Sequence, residues 1–204
     1  MSGQRPFILC LTGSLAMGKS TAARFFAEAG VPVLDSDAVV HALYEGEAAP
    51  SIEQAFPGST AAGKVDRNRL AAMVLGDSAA LARLEAIVHP LVFAAREKFL
   101  ADAQARGAAV VVLDVPLLFE TGAQDRCDAV AVVSAPSAMQ RQRAFERPGM
   151  TEDKFAALLA KQMPDAEKRA RADFVIDSSQ SFDHARTQIR DILRSIAKMP
   201  RRRN

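Results

Sequence analysis

Apolar and polar positions divide this chain into short apolar runs separated by longer segments of helical periodicity. Five runs have the near-continuous hydrophobic character of strands buried on both faces, at 7–11, 31–35, 108–114, 129–133 and 173–177. Between most of them, apolar residues recur every three or four positions, as on one face of a helix. The alternation predicts a mostly parallel, five-stranded sheet in an α/β fold.

A helical stretch separates the second run from the third. Helices are predicted at 37–44 and from Asp66, where Leu70, Met73 and Val74 would form a buried stripe, whereas 46–64 has the composition of a helical turn and loop. The periodicity of 78–104 predicts one long amphipathic helix or a kinked pair, with apolar positions at Leu81, Leu84, Ile87, Val88, Leu91 and Val92. Because Pro90 removes a helix hydrogen bond, we expect His89 to lie at a bend.

The last third of the chain contains predicted helices at 136–146, 151–163 and 182–196. Arg143 and Arg147 are four residues apart, which would place them on one face of the first helix. Pro148-Gly149-Met150 separates the first two helices, so a helical hairpin that closes over a ligand is plausible. The last five residues, from Pro200, are expected to form a disordered tail.

Composition narrows the class of protein. The 204 residues are 49% hydrophobic and 25% charged, which is typical of a globular protein, and the net charge of +2 is too small to indicate whole-surface attraction to nucleic acid or membrane. Cys10 and Cys127 have neither the spacing of a metal site nor a disulfide framework. No leader peptide or membrane-spanning run is recognisable, so a soluble protein of a reducing cytoplasm is expected.

The segment Gly13–Thr21 reads GSLAMGKST and follows the first apolar run. It fits the pattern G-x-x-x-x-G-K-[ST], in which a glycine-bearing loop directs several backbone N–H groups at phosphate oxygens and opens a helix whose dipole adds positive potential. Lys19 would contact the β- and γ-phosphates, and the Ser20 hydroxyl would bind Mg²⁺. Ala16 stands where a glycine would permit a positive φ, so alanine is unstrained there only at negative φ.

Acidic residues follow two predicted strands at the sheet edge where α/β proteins bind ligands. Asp35 and Asp37 follow the second run, and Asp114 ends the third. Asp35 or Ser36 is an equally good candidate for a helix N-cap, which leaves Asp37 as the candidate metal ligand or proton acceptor. Asp114 is a candidate magnesium ligand, directly or through water.

Several other candidates have a structural alternative. Arg67 and Arg69 could bind an anionic substrate or cover a helix surface. His41 lies one helical turn after Asp37, where histidines are more often surface residues than catalytic ones. The segment Val115–Glu120 is unusually apolar for a loop and indicates a pocket, although Leu117 and Leu118 could equally be packed in the core.

The combined motifs resemble the dephospho-coenzyme A kinase family. The resemblance rests on LTGSLAMGKST, VPVLDSDAVVH, LEAIVHPLV, LDVPLLFE, QRQRAFERPGMT, Gln162 and RADFVID, which stand in the family's order from about Ile8 to Asp177. It implies ATP-dependent phosphorylation of the ribose 3′-hydroxyl of dephospho-coenzyme A, the last step of coenzyme A biosynthesis. It also implies a three-layer P-loop kinase core with a helical substrate-binding insertion and a helical lid, in one unit spanning 1–204.

The resemblance carries roles to particular positions. The core would comprise 6–36, 106–139 and 172–199, with the acceptor-binding insertion at 37–105 and the lid at 140–171. ATP would be bound by Gly13, Ser14, Leu15, Ala16, Met17, Gly18, Lys19, Ser20 and Thr21, and the catalytic residues would be Asp37, Lys19, Arg143 and Arg147. The acceptor would contact Asp37, His41, Arg67, His89, Leu117, Leu118, Phe119 and Glu120. Mg²⁺ would be held by Ser20, with Asp114 as a second candidate ligand.

The chain departs from the family at three places. Ala16 replaces a usual glycine, Pro148-Gly149 stands where an acidic residue often follows the lid arginine, and Ser178 replaces a common asparagine on the adenine side. The expected partners are ATP and dephospho-coenzyme A, without nucleic acid or membrane, for a monomer or weak homo-oligomer. The nearest alternative is another small-molecule or nucleotide kinase on the same core. A GTP-hydrolysing switch is disfavoured because an N-K-x-D motif is absent, and a third alternative is nucleic-acid contact by the tail at 201–203.

Overall fold

The computed structural model describes residues 4–201. The elements are β1 (Phe7–Thr12), α1 (Lys19–Glu28), β2 (Val33–Asp35), α2 (Ser36–Tyr44), α3 (Ala49–Ala55), β3 (Thr60–Ala61), β4 (Lys64–Val65), α4 (Arg67–Val74), α5 (Ser78–Ala105), β5 (Val110–Asp114), β6 (Ala129–Ser134), α6 (Ser137–Phe145), α7 (Glu152–Ala160), α8 (Asp165–Arg171), β7 (Phe174–Asp177) and α9 (Phe182–Ile196). A short 3₁₀ helix spans Ala123–Arg126. Residues 202–204 of the predicted tail lie outside the described range.

The main sheet has the strand order β2-β5-β1-β6-β7, which confirms the predicted five-stranded α/β fold. Strand β1 is central, and its Leu9 pairs in parallel with Val112 on one side and Ala129 on the other. All six residues of β1 are buried, which explains why its sequence is a continuous apolar run rather than an alternating one. The carboxyl end of β1 therefore opens into the phosphate loop at the middle of the sheet.

Helices α1 and α9 cover one face of this sheet. Phe26 of α1 is fully buried, and Ile189 of α9 is 1% exposed in the same cluster as Leu9. The Ser181 side chain caps α9 by accepting a hydrogen bond from the His184 N–H at 3.2 Å. Burial of each large apolar side chain contributes about 1.5–3 kcal/mol relative to exposure. This packing fixes the position of α1, and hence of the loop that leads into it.

The chain divides into two compact units, one formed by 1–34 with 103–204 and the other by 35–102. The second unit has its own core around Ile52, which is fully buried, and Leu70, which is 3% exposed. Within it the predicted helical turn in 46–64 is α3, but the predicted loop is an antiparallel β3–β4 hairpin. The two-residue turn Ala62-Gly63 has φ of 51° and 77°, as in the turns that match strand twist.

The long helices of the second unit differ in detail from the sequence pattern. The Asp66 side chain caps α4, but Met73 is 37% exposed, so the expected burial of Met73 is wrong. Helix α5 is one helix of 28 residues that continues through Pro90. It is the one helix in the described chain that is long and apolar enough to cross a membrane, with 17% of the apolar window buried. Length and composition alone are weak support for a membrane span.

The two cysteines are joined, contrary to the expectation from their spacing. Cys10 lies in β1 and Cys127 just before β6, and they form a disulfide with a Cα–Cα distance of 5.8 Å. The residues are 117 positions apart in sequence, but β1 and β6 are adjacent in the sheet. Both side chains are 1% exposed. The pairing therefore depends on strand order, which spacing along the chain does not reveal.

Candidate active site

The phosphate loop connects β1 to α1 and lies close against the neighbouring strand β6. A Cβ added to Gly13 would lie 2.7 Å from the Val133 carbonyl oxygen, so this position requires glycine. Gly18 adopts φ 89° at the N-cap of α1, a left-handed conformation that glycine adopts without strain. Lys19 and Ser20 then form the first turn of the helix. The predicted motif thus has the strand–loop–helix context that phosphate binding requires.

Ala16 has φ 60°, so the negative φ that would make alanine unstrained does not occur. The residue is 8% exposed. A left-handed conformation disfavours a non-glycine residue by roughly 1–2 kcal/mol. The loop therefore keeps the backbone shape that a glycine would adopt easily, and the surrounding contacts hold an alanine in it.

Lys19 and Asp114 form an ion pair beneath the loop. The distance from the Lys19 Nζ to the Asp114 Oδ1 is 2.5 Å, with side-chain exposures of 16% and 3%. Asp114 is the last residue of β5 and pairs with Leu11 of β1, which brings the two ends of these strands together. A cation and a carboxylate thus meet at the edge of the sheet where the loop begins.

The oxygen atoms near the loop suit Mg²⁺ bound together with a nucleotide. Ser20 is exposed in the first turn of α1, and Asp114 is buried beside Lys19. In residues 4–201 no group of three or more His, Cys, Asp or Glu side chains could hold a metal ion by itself. Mg²⁺ commonly takes one or two protein oxygens and completes its shell with phosphates and water. The hydroxyl and carboxylate therefore fit this ion.

Arg143 and Ser178 also lie against the loop. The Arg143 guanidinium donates to the Ser178 Oγ at 3.0 Å and to the Ser178 carbonyl at 2.7 Å. The Ser178 hydroxyl donates to the Met17 carbonyl at 2.7 Å. Ser178 therefore links the arginine to the loop, although it lies 161 residues from Met17. Sequence comparison with the family pointed to position 178, but its contact with the loop had no sequence signal.

Arg147 does not lie on the same helix as Arg143. Helix α6 ends at Phe145, and Arg147 lies exposed in the turn that follows. The expectation that the two arginines share one helix face is therefore wrong. Pro148 follows directly, and the residue before a proline is disfavoured in helical conformation.

Two cavities open near the carboxyl ends of β6 and β7. One of about 260 Å³ is lined by Gly18, Thr21, Arg143, Ser178 and other residues. The other, of about 610 Å³, borders Met17, Gln140, Asp165 and Arg169. The smaller cavity contacts the start of α1 directly, so a ligand in it could extend its phosphates into the loop.

The segment Leu117–Glu120 has both core and exposed positions. Leu118 is fully buried and Phe119 is 8% exposed, whereas Leu117 is 40% exposed. The Glu120 Oε1 accepts from the Met163 N–H at 2.8 Å and lies 2.8 Å from the Nζ of fully buried Lys168. Burial alone would raise the pKa of Glu120, but these contacts outweigh it and lower that pKa. An acceptor-binding role for the segment stays a prediction.

The second unit contains the remaining candidate acceptor residues. The Asp35 carboxylate accepts from the Asp37 and Ala38 N–H groups, so Asp35 is the N-cap of α2. Asp37 is exposed in the first turn of the same helix. The Arg67 Nη2 lies 2.8 Å from the His41 Nδ1, and both side chains are exposed.

Arg67 also lies near the Tyr44 ring, with its guanidinium carbon 5.9 Å from the ring centroid. Burial raises the pKa of Tyr44, and the charge of Arg67 opposes this rise. His89 is exposed on α5. The structure of this unit thus joins His41, Tyr44 and Arg67 in one cluster that includes a cation.

Comparison with known proteins identifies the family. The family model for dephospho-CoA kinase matches residues 7–184. A protein of Rhodopseudomonas palustris strain BisB18 described as dephospho-CoA kinase is 62% identical over 196 residues, covering 96% of this chain and 98% of its own length.

Solved structures share the fold of this chain. The structure of TT1252 from Thermus thermophilus has a TM-score of 0.82 at 33% identity, covering 94% of this chain and 98% of its own. Shikimate kinase from Bacteroides thetaiotaomicron has a TM-score of 0.53 at 13% identity, covering 92% and 98%, and so shares the fold alone. The loop, the Lys19–Asp114 pair and these matches lead to one conclusion: the chain belongs to the dephospho-CoA kinase family and is a P-loop kinase.

Proposed function

We propose that this chain transfers the γ-phosphoryl group of ATP to the ribose 3′-hydroxyl of dephospho-coenzyme A, giving coenzyme A and ADP. The observation that carries the phosphoryl-transfer chemistry is the phosphate loop with Lys19 and Asp114 paired beneath it. The choice of acceptor rests on the family, including the relative that is 62% identical over nearly the whole chain.

ATP would bind along the loop and the start of α1. Backbone N–H groups and the helix dipole would hold the phosphates, and Lys19 would turn from Asp114 toward the β- and γ-phosphates. The adenine would occupy the cavity of about 260 Å³ bordered by Gly18 and Arg143.

Mg²⁺ would be held by the Ser20 hydroxyl and, directly or through water, by Asp114. When bound, the ion supplies positive charge that neutralises the phosphate oxygens. The contribution of the protein is to keep these two oxygen donors near the loop, since Asp114 is fixed at the end of β5. Arg143 and Arg147 would add positive charge near the phosphoryl group as the lid closes.

The acceptor would be oriented by residues of the second unit. Asp37 would accept the proton of the 3′-hydroxyl while the hydroxyl oxygen forms a bond to the γ-phosphorus. The bond between the γ-phosphorus and the β–γ bridging oxygen breaks in the same step, and ADP leaves. Arg67 with His41 supplies a cationic cluster suited to the diphosphate of the acceptor. His89 and the exposed Leu117 are further candidate contacts, as are Leu118, Phe119 and Glu120.

A coupled assay of ADP release with and without dephospho-coenzyme A tests this function. We expect ADP release to depend on dephospho-coenzyme A, and the Asp37→Asn variant to lose most turnover while ATP still binds. Asp77→Asn is a matched control, because Asp77 caps α5 by accepting from the Ala79 and Ala80 N–H groups. Phosphorylation of AMP or gluconate with no action on dephospho-coenzyme A would overturn the proposed acceptor, and normal turnover of Asp37→Asn would overturn the role of Asp37.

We also propose a cytoplasmic location and a monomer or weak homo-oligomer. Disulfides are rare in the reducing cytoplasm, so the Cys10–Cys127 pair bears directly on this proposal. Rapid alkylation of thiols in intact cells, followed by mass spectrometry, would show both cysteines alkylated if the protein is held reduced. Sedimentation of the purified protein would give its oligomeric state.

A further inference from the structure

Two glutamine side chains hold the backbone of Leu15, the third residue of the phosphate loop. The Leu15 N–H donates to the Gln162 Oε1 at 2.9 Å, and the Gln140 Nε2 donates to the Leu15 carbonyl at 2.9 Å. The partners lie 147 and 125 residues away along the chain. Both backbone polar groups of one loop residue are therefore bound by distant side chains.

The two glutamines lie at either end of the segment that carries the candidate lid arginines. Gln140 is in α6 and 6% exposed, and Gln162 follows α7. Residues 141–161, which we call the lid segment, contain Arg143 and Arg147. Because the residues that flank the lid segment, Gln140 and Gln162, contact the same loop residue, both ends of the segment begin next to the phosphate loop.

Neighbouring contacts keep the ends of the lid segment in place. Next to Gln162, the Met163 N–H donates to Glu120, whose carboxylate also pairs with fully buried Lys168. On the loop itself, the Met17 carbonyl accepts from the Ser178 hydroxyl. Breaking one glutamine contact should thus loosen one end of the lid segment without releasing the whole loop.

We propose that Gln140 and Gln162 are positioning residues for phosphoryl transfer, fixing both ends of the lid segment on Leu15. When the lid segment closes over bound ATP, its two fixed ends keep Arg143 and Arg147 aligned with the phosphates that the loop holds. The inference rests on the proposed kinase function. Because both glutamine side chains bind the Leu15 backbone, their loss should affect turnover more than ATP binding.

The opposite roles of the two amides provide the test. Gln162 acts as an acceptor, and Gln162→Glu keeps an oxygen for the Leu15 N–H. Gln140 acts as a donor, and Gln140→Glu places a carboxylate against the Leu15 carbonyl. Both variants add one negative charge near the loop. A difference in kcat between them therefore reports whether the hydrogen bond to Leu15 is kept or lost. Gln142→Glu, an exposed position on the same helix, is the matched control.

We expect kcat of Gln162→Glu to stay within about twofold of the control, and kcat of Gln140→Glu and Gln162→Leu to fall about tenfold while KM for ATP changes less than threefold. Equal kcat for the two glutamate variants would overturn the proposal. So would effects on KM alone. If Gln162→Leu does not fold, the comparison of kcat between Gln162→Glu and Gln140→Glu still tests the proposal.

Hydrogen exchange at the Leu15 amide gives a readout without substrate. We expect about tenfold faster exchange in Gln162→Leu than in wild type, and little change in Gln142→Glu. Unchanged exchange in a folded Gln162→Leu variant would overturn the contact itself. A wild-type protein without acceptor-dependent turnover would instead overturn the proposed function, and with it the positioning role.

Discussion

Replacing Gly13 by alanine should damage the phosphate loop by a steric effect whose size follows from the structure. The added Cβ would lie 2.7 Å from the Val133 carbonyl oxygen, whereas ordinary contact begins near 3.4 Å. The loop must therefore move by about 0.7 Å, because β6 is held between β1 and β7 and cannot move freely. Crowding of this kind destabilises a protein by about 1–3 kcal/mol.

The same displacement should misplace the N–H groups of the loop relative to the phosphates. A misplacement near 1 Å can lower catalysis about 100-fold, so we expect a loss of this order in kcat/KM for ATP in Gly13→Ala. Thermal unfolding and steady-state kinetics measure the two effects separately. Gly46→Ala is the matched control, since no atom lies within 4 Å of its added Cβ and its φ is not in the left-handed region. Wild-type kcat/KM in Gly13→Ala would refute the reasoning.

Three other changes test the rest of the site. Lys19→Met should lower kcat/KM at least about 100-fold in the coupled assay, because a charge facing the phosphates is lost, and a loss below tenfold would contradict its role. Ala16→Gly should change the free energy of unfolding by less than about 1 kcal/mol, because relief of the strain at φ 60° offsets the greater freedom of the unfolded chain. A larger loss of stability in denaturant titrations would show that the methyl group is needed. Because folding lowers the pKa of Glu120 from 4.5, the ionised carboxylate adds to the free energy of unfolding above that pH. This contribution is lost as the pH falls through the lower pKa of the folded state. The difference in unfolding free energy between wild type and Glu120→Gln should therefore shrink below about pH 4.5, and a constant difference from pH 7 to pH 3 would exclude this linkage.

The strands of the main sheet were predictable because burial on both faces produces continuous apolar runs. Strand β1 is the clearest case, with every residue buried. The β3–β4 hairpin was missed because strands of two residues are too short to show any periodicity. Its only local signal was the Ala62-Gly63 turn, and alanine at positive φ is uncommon.

Helix α8 was missed for a different reason. Its seven residues are mostly charged, and the sole fully buried side chain among them is a lysine, so it has no apolar stripe. Lys168 is buried because Glu120 lies 2.8 Å away, a partner in a distant part of the chain. The loop motif was visible in the sequence, but the contacts of Leu15 with Gln140 and Gln162 depend on tertiary structure.

The Cys10–Cys127 disulfide closes a covalent ring that contains the whole of 35–102. A protease that cuts the backbone once inside this ring cannot separate the two pieces. Protein nicked in the exposed Leu75-Gly76 stretch after α4 should therefore migrate as one species on a non-reducing gel and as two after reduction. The disulfide therefore keeps the second unit covalently attached to the first even after the backbone of the second unit has been cut.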